Sequence, residues 1–191
     1  MAYLRIGTSG WTYKGWKGPF YPNIVPKRNW LEYYASRFGT TEINGSFYRT
    51  PSLDAVRVWR KTTPKDFVFS WKASKFITHW KRLTPKSKNS IELMGSRLAI
   101  LGSKLGAVLF QLPPQFSKNG ERLDAFLRML PRRYRYTFEF RHPSWYEDDI
   151  LDILRRHGAA LCLSDHRDDP APWKITAPFV YLRGHGPWWA L

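Results

Sequence analysis

Seven short apolar runs in this chain stop abruptly at polar or charged residues: IGTSGW, TEINGSFYR, FVFSWKASK, AVLFQLPPQF, YTFEFRHPSW, ALCLSDH and FVYLRGHG. Stretches with helical spacing lie between most of them. Apolar runs of this length alternating with helices describe parallel strands joined by crossover helices. The expected fold class is α/β, a TIM-type parallel βα barrel, with the side chains of chemical interest gathered where the strands end. Eight strands and their helices typically take about 250 residues. A chain of 191 residues with about seven strands is therefore expected to form an incomplete barrel. Such a barrel keeps two edge strands, whose unpaired backbone groups favour self-association.

Strands are expected near residues 4–7, 41–44, 67–72, 107–111, 136–140, 160–163 and 179–182. A first helix carries Trp30, Leu31, Tyr34, Ala35 and Phe38 on one side and stops at Gly39. Ser52 caps a second helix whose stripe is Leu53, Val56 and Trp59. Residues 73–87 read as a long loop. A third helix then aligns Ile91, Met94, Leu98, Leu101 and Leu105 and stops at Gly106. The fourth holds Leu123, Phe126, Leu127 and Leu130, and the fifth Ile150, Ile153 and Leu154 before Gly158. After Asp165 the segment HRDDPAPWKITAP has no helical stripe and reads as an irregular crossover.

Composition narrows the class further. Hydrophobic residues make up 43% and aromatics 17%, enough for a packed core. No apolar run approaches the roughly 18–20 residues of a membrane span, and the first residues lack the pattern of a signal peptide. The single Cys162 lies in an apolar run and reads as a small buried hydrophobe, which fits a reducing, cytoplasmic setting. The net charge of +16 implies either attraction to anions or a merely basic surface.

If the strands converge, one rim gathers Thr8, Ser9 and Trp11; Glu42 and Asn44; Trp71 and Lys72; Gln111; Glu139, Arg141 and His142; Ser164 and Asp165; Arg183 and His185. Glu42 and Glu139 lie within or at the end of apolar strands, where a carboxylate is paired, solvated or shifted in pKa. They are read either as an acid/base pair or as members of ion pairs that hold the scaffold. His142 and His185 are proton-relay candidates, each with a purely structural alternative. A metal site built from Glu42, Glu139, Asp165, His142 and His185 has no supporting ligand spacing, and none is expected. Ser164-Asp165 lacks a nucleophile elbow, and no phosphate or dinucleotide loop is present. The sequence names no cofactor.

The segment KASKFITHWKRLTPKSKN interleaves Lys72, Lys75, Lys81, Arg82, Lys86 and Lys88 with Phe76, His79 and Trp80. It suits either a nucleic-acid backbone with stacked bases or a solvated lid.

Several of these motifs resemble the YecE-like family, domain of unknown function 72. They are Gly7-Thr8-Ser9-Gly10-Trp11, Gly18-Pro19-Phe20-Tyr21-Pro22, Glu42-Ile43-Asn44 and Ser46-Phe47-Tyr48. The series continues with Lys72-Ala73, Phe76-Ile77-Thr78-His79, Phe110-Gln111-Leu112-Pro113-Pro114, Glu139-Phe140-Arg141-His142-Pro143-Ser144-Trp145, Tyr181-Leu182-Arg183 and His185-Gly186. The resemblance implies a TIM-type barrel in one domain over residues 1–191, truncated after strand seven. In the family a Tyr-containing loop, a helix and a last strand follow; residues 187–191 stand in their place. The resemblance brings no settled reaction, and analogy relates the family pocket to barrel endonucleases that act on DNA.

The functional expectation is an enzyme-like barrel of hydrolase, lyase or isomerase type acting on an anionic or polyhydroxy substrate. Glu42, Glu139, His142, Asp165 and His185 would be catalytic. Thr8, Ser9, Trp11, Asn44, Tyr48, Lys72, Gln111, Arg141 and Arg183 would bind substrate. The rival readings are a nucleic-acid-binding or nuclease-like barrel and an inactive fragment.

Overall fold

The structure, a computed structural model, describes residues 3–165 and 170–186. It divides into two compact units, Met1–Lys72 with Leu93–Gly106, and Ala73–Glu92 with Ala107–Leu191.

The first unit holds β1 (Gly7–Thr8), α1 (Trp30–Ala35), β2 (Thr40–Ile43), α2 (Leu53–Thr62), β3 (Val68–Lys72) and the end of α3 (Lys88–Leu101). Its strands pair in parallel, Gly7 beside Thr40 and Thr40 beside Val68. The helical spacing of Trp30, Leu31, Tyr34 and Ala35 buries all four, and Trp30 stacks on Tyr21 with ring centroids 4.3 Å apart. Ser52 caps α2 by accepting from the Ala55 N–H at 3.1 Å. Buried Lys104 donates to the carbonyls of Arg60 and Thr63, both at 2.6 Å, and so satisfies acceptors at the end of α2. Burial pulls its ammonium below the ordinary lysine pKa.

β1 is shorter than expected, only two residues, and Tyr3, Leu4 and Ile6 are exposed. Among the described residues β1 pairs only with β2, so the apolar run at 4–6 has no ladder to join. Gly7 permits the pairing that exists. A Cβ there would lie 2.0 Å from the Thr40 carbonyl oxygen, which is backbone and cannot give way.

The second unit holds most of β4 (Leu105–Gln111), then α4 (Gly120–Met129), β5 (Arg135–Glu139), α5 (Asp148–Arg156), β6 (Ala160–Ser164) and β7 (Tyr181–Arg183). These strands are also parallel: Gln111 lies beside Glu139, Thr137 beside Ala160, and Ser164 beside Arg183. Strand order follows chain order. Phe110, Phe126 and Phe138 form the aromatic centre of this unit, and Trp145 stacks on Phe140 at 4.8 Å. Every residue of β6 is buried.

The expected long loop at 73–87 is ordered instead, as a π-helix over Phe76–Trp80 and a 3-10 turn over Pro85–Ser87. Ile77 and Leu83 anchor it in the core. Leu83 and Arg82 adopt left-handed backbone at φ 64° and 45°, a conformation that non-glycine residues keep only when packing holds them there. Helix α3 ends at Gly102 (φ 55°) rather than at Gly106, so Leu105 opens β4 instead of extending the helical stripe. The expected crossover after Asp165 lies partly outside the described residues, and residues 187–191 lie wholly outside them. Among the described residues no helix is long and apolar enough to cross a membrane.

Candidate active site

Each unit brings part of the expected rim together. In the first, Ser9 Oγ donates to Oε1 of buried Glu42 at 3.2 Å. Thr8 presents its N–H to the Tyr34 hydroxyl at 2.8 Å, and that hydroxyl donates to the Thr40 carbonyl at 3.0 Å. Thr8 thereby ties β1 to α1 and β2. The Trp11 carbonyl accepts from Tyr21, and the Trp11 ring packs edge-on against Trp59 and Phe69. Lys72 Nζ sits 4.6 Å from the centroid of Phe47. Asn44 Oδ1 is buried without a hydrogen-bond partner, and Tyr48 is exposed.

The second unit carries the densest group. Glu139, the last residue of β5, has a side chain with no exposed surface. Its Oε2 accepts from Arg183 Nη1 at 2.6 Å, and its Oε1 is ion-paired with Arg141 Nη2. Burial lowers the Arg141 pKa, and the neighbouring Glu139 carboxylate opposes that shift. One oxygen of Asp165, Oδ1, takes both the backbone N–H of His185 at 2.6 Å and its Nδ1 at 3.1 Å. The backbone N–H comes first among the causes holding the Asp165 carboxyl below the usual range. His185 Nε2 lies 3.0 Å from Arg141 Nη2 and 3.9 Å from Glu139 Oε1.

These contacts fix the histidine tautomer. A guanidinium only donates, so Nε2 accepts; a carboxylate only accepts, so Nδ1 carries the proton. In this tautomer His185 turns its basic nitrogen toward Arg141 and Glu139 and is oriented from behind by Asp165.

The other expected residues are placed differently. His142 Nδ1 lies 2.8 Å from Ser144 Oγ and accepts from the Ser144 N–H, capping the turn over Pro143–Tyr146. Gln111 is half-buried at the end of β4 beside Glu139. Two features escaped the sequence reading. Thr137 Oγ1 and Ser164 Oγ are buried without hydrogen-bond partners, as is Arg141 Nε. A cleft of about 330 Å³ at the tips of β6 and β7 is lined by Ser164, Asp165, Trp173 and Arg183. Trp173 stood in a proline-rich segment without periodicity, and only its aromatic type signalled it. A cleft of about 440 Å³ in the first unit, beside Lys14, Lys17, Lys27 and Trp30, contains no carboxylate and none of the expected site residues. Among the described residues no group of three or more His, Cys, Asp or Glu is placed to hold a metal ion.

Comparison with known proteins agrees with the expected resemblance. The family model described as "Protein of unknown function DUF72" matches residues 5–188. The chain is 32% identical over 143 residues to the UPF0759 protein YecE of Escherichia coli K12, covering 72% of this chain and 52% of that protein. It is 30% identical over 167 residues to the UPF0759 protein YunF of Bacillus subtilis, covering 81% and 58%. The chain thus spans little more than half the length of these curated relatives. A DUF72 family crystal structure from Thermotoga maritima superposes with a TM-score of 0.82 at 29% identity, covering 95% of this chain and 74% of that one. One from Enterococcus faecalis gives 0.69 at 25% identity, covering 82% and 63%. The fold is a parallel α/β fold consistent with an incomplete TIM-type barrel, with seven strands among the described residues.

Proposed function

Starting from the fact that this chain belongs to the DUF72 protein family, we propose that it is an enzyme that moves a proton on a polar substrate at the carboxyl ends of β5, β6 and β7. The observation that carries this reading is the placement of the His185 ring, held between Asp165 Oδ1 and Arg141 Nη2. His185 is the base. Asp165 orients it and stabilises the imidazolium that forms.

When Nε2 gains a proton, its contact with Arg141 becomes repulsive. Glu139 Oε1, at 3.9 Å, becomes attractive. Substrate that displaces the Arg141 N–H from Nε2 therefore receives both a base and a guanidinium donor. Glu139 is not the acid in this scheme. Its two oxygens hold Arg141 and Arg183, so it preorganises charge. Glu42, with Ser9 on its Oε1, is a separate acid/base candidate in the first unit.

The test is incubation of the chain with a mixture of polar metabolites, read by mass spectrometry. A conversion seen with the wild type and abolished in both His185→Gln and Asp165→Asn supports the assignment. A conversion that survives His185→Gln, or none with the wild type, rejects it.

A second reading rests on the segment around the π-helix. Trp80 is exposed with Lys75 Nζ 5.1 Å from its ring, and Lys81 Nζ lies 5.1 Å from Phe76. Cations beside an exposed indole and a half-buried phenyl ring suit a single nucleic-acid strand. Its signature is affinity that falls steeply with salt in filter binding; salt-independent or undetectable retention removes it.

A further inference from the structure

The cleft at the tips of β6 and β7 shares Asp165 and Arg183 with the proton-transfer group, but its other lining residues have no role in that scheme. We infer that it takes an uncharged, polyhydroxylated ring, stacked on the Trp173 indole and hydrogen-bonded through Asp165 and Ser164. This deepens the proposed function by naming its substrate class, and it rests on that reading for the chemistry that follows binding.

Size is the first argument. About 330 Å³ lies at the small end of ligand pockets, which run from about 300 to 1,000 Å³, and suits a single sugar-sized ring. Charge is the second. The lining carries one carboxylate, Asp165, and one guanidinium, Arg183, which Glu139 already pairs. Among the described residues of the lining neither sign is in excess, which favours hydroxyl groups over phosphate or carboxylate.

The lining matches that ligand. Trp173 is 84% exposed and directly follows Pro172, and the Lys174 N–H closes a tight turn onto the Pro172 carbonyl at 2.7 Å. The indole is thus offered to solvent from a stiff segment, as a stacking platform needs. Asp165 uses Oδ1 for both His185 donors. Its Oδ2 faces Gly184, where even an added Cβ would stay 3.7 Å away. Ser164 adds a hydroxyl that is buried and has no hydrogen-bond partner. A carboxylate oxygen, a hydroxyl and a flat aromatic face address the hydroxyl edge and the C–H face of a pyranose or cyclitol.

The test uses saturation-transfer NMR on the full chain with D-glucose, D-galactose, D-mannose, D-xylose and myo-inositol, each challenged with inorganic phosphate. At least one polyol should receive saturation. Trp173→Ala should weaken its dissociation constant about tenfold, Trp173→Phe should retain binding, and phosphate should not displace it. Because Trp173 is exposed, the variant keeps the wild-type melting temperature. The inference is overturned if no polyol binds, if binding ignores Trp173→Ala, or if phosphate competes. Polyol binding that persists in His185→Gln keeps this inference, whereas loss of the proton-transfer reading shows only in the conversion assay.

Discussion

Replacing Glu139 by Gln tests whether this carboxylate is a structural pin. The substitution preserves shape and removes one charge from a position with no exposed surface. Two guanidinium groups, whose side chains are 9% and 11% exposed, lose their common partner. Leaving one buried charge uncompensated costs about 3–5 kcal/mol. The amide oxygen still accepts one hydrogen bond, so the loss should fall in that range rather than double it. For a chain of this size about 1 kcal/mol moves the melting temperature by about 2–4 °C, which predicts a fall of about 6–20 °C. Urea unfolding followed by circular dichroism reads the free energy directly. The triple variant Glu139→Leu, Arg141→Met, Arg183→Met should recover much of the loss, because it removes all three charges together. A loss under about 1 kcal/mol for Glu139→Gln, or a triple variant less stable than the single one, refutes the pin.

Three further outcomes follow from the structure. Lys104→Met leaves the carbonyls of Arg60 and Thr63 and the Thr63 hydroxyl without their shared donor, so urea unfolding should show a loss of about 1–3 kcal/mol. Asp124, bonded first by His157, and Asp165 both have carboxyls below the ordinary 3.8. The unfolded chain therefore binds more protons as pH falls through that value, so their stabilisation is present above it and lost in acid; Asp124→Asn should show a shallower decline in urea midpoint below about pH 4. Gly7→Ala drives a methyl into the Thr40 backbone at 2.0 Å, whereas Gly106→Ala crowds a Val68 methyl at 2.7 Å and meets backbone, the Phe69 oxygen, only at 3.4 Å. The first should cost about 1–3 kcal/mol and the second less, and comparable losses in thermal melts would contradict the geometry.

Strands β2 to β6 were legible because parallel strands buried on both faces write unbroken apolar runs; they, and β7, which has no buried residue, lie within two residues of where those runs placed them. What escaped was set by tertiary context. Gly102 and Gly106 offer equal stop signals in sequence, and only packing chose the first. Ile77 and Leu83 are two apolar anchors hidden among cations, so an ordered π-helix read as a loop. Asp165 and His185 lie 20 residues apart in sequence, and nothing local announces that one oxygen takes both donors of the other. Glu139 was legible as a buried carboxylate. Which arginine would pair with it was not legible, because Arg183 reaches it only where β7 arrives.

Glu139 and Arg141 belong to the end of β5, while Arg183 belongs to β7, and β6 runs between them. The Glu139–Arg183 ion pair therefore acts as a staple bent over the middle strand, with Arg141 bound to the same carboxylate. β6 cannot peel away from either neighbour until this staple opens, and opening it exposes three charges in one step. Amide exchange at Leu161 to Ser164 should accordingly report opening of the whole second unit rather than local fraying, making this strand its last part to let go.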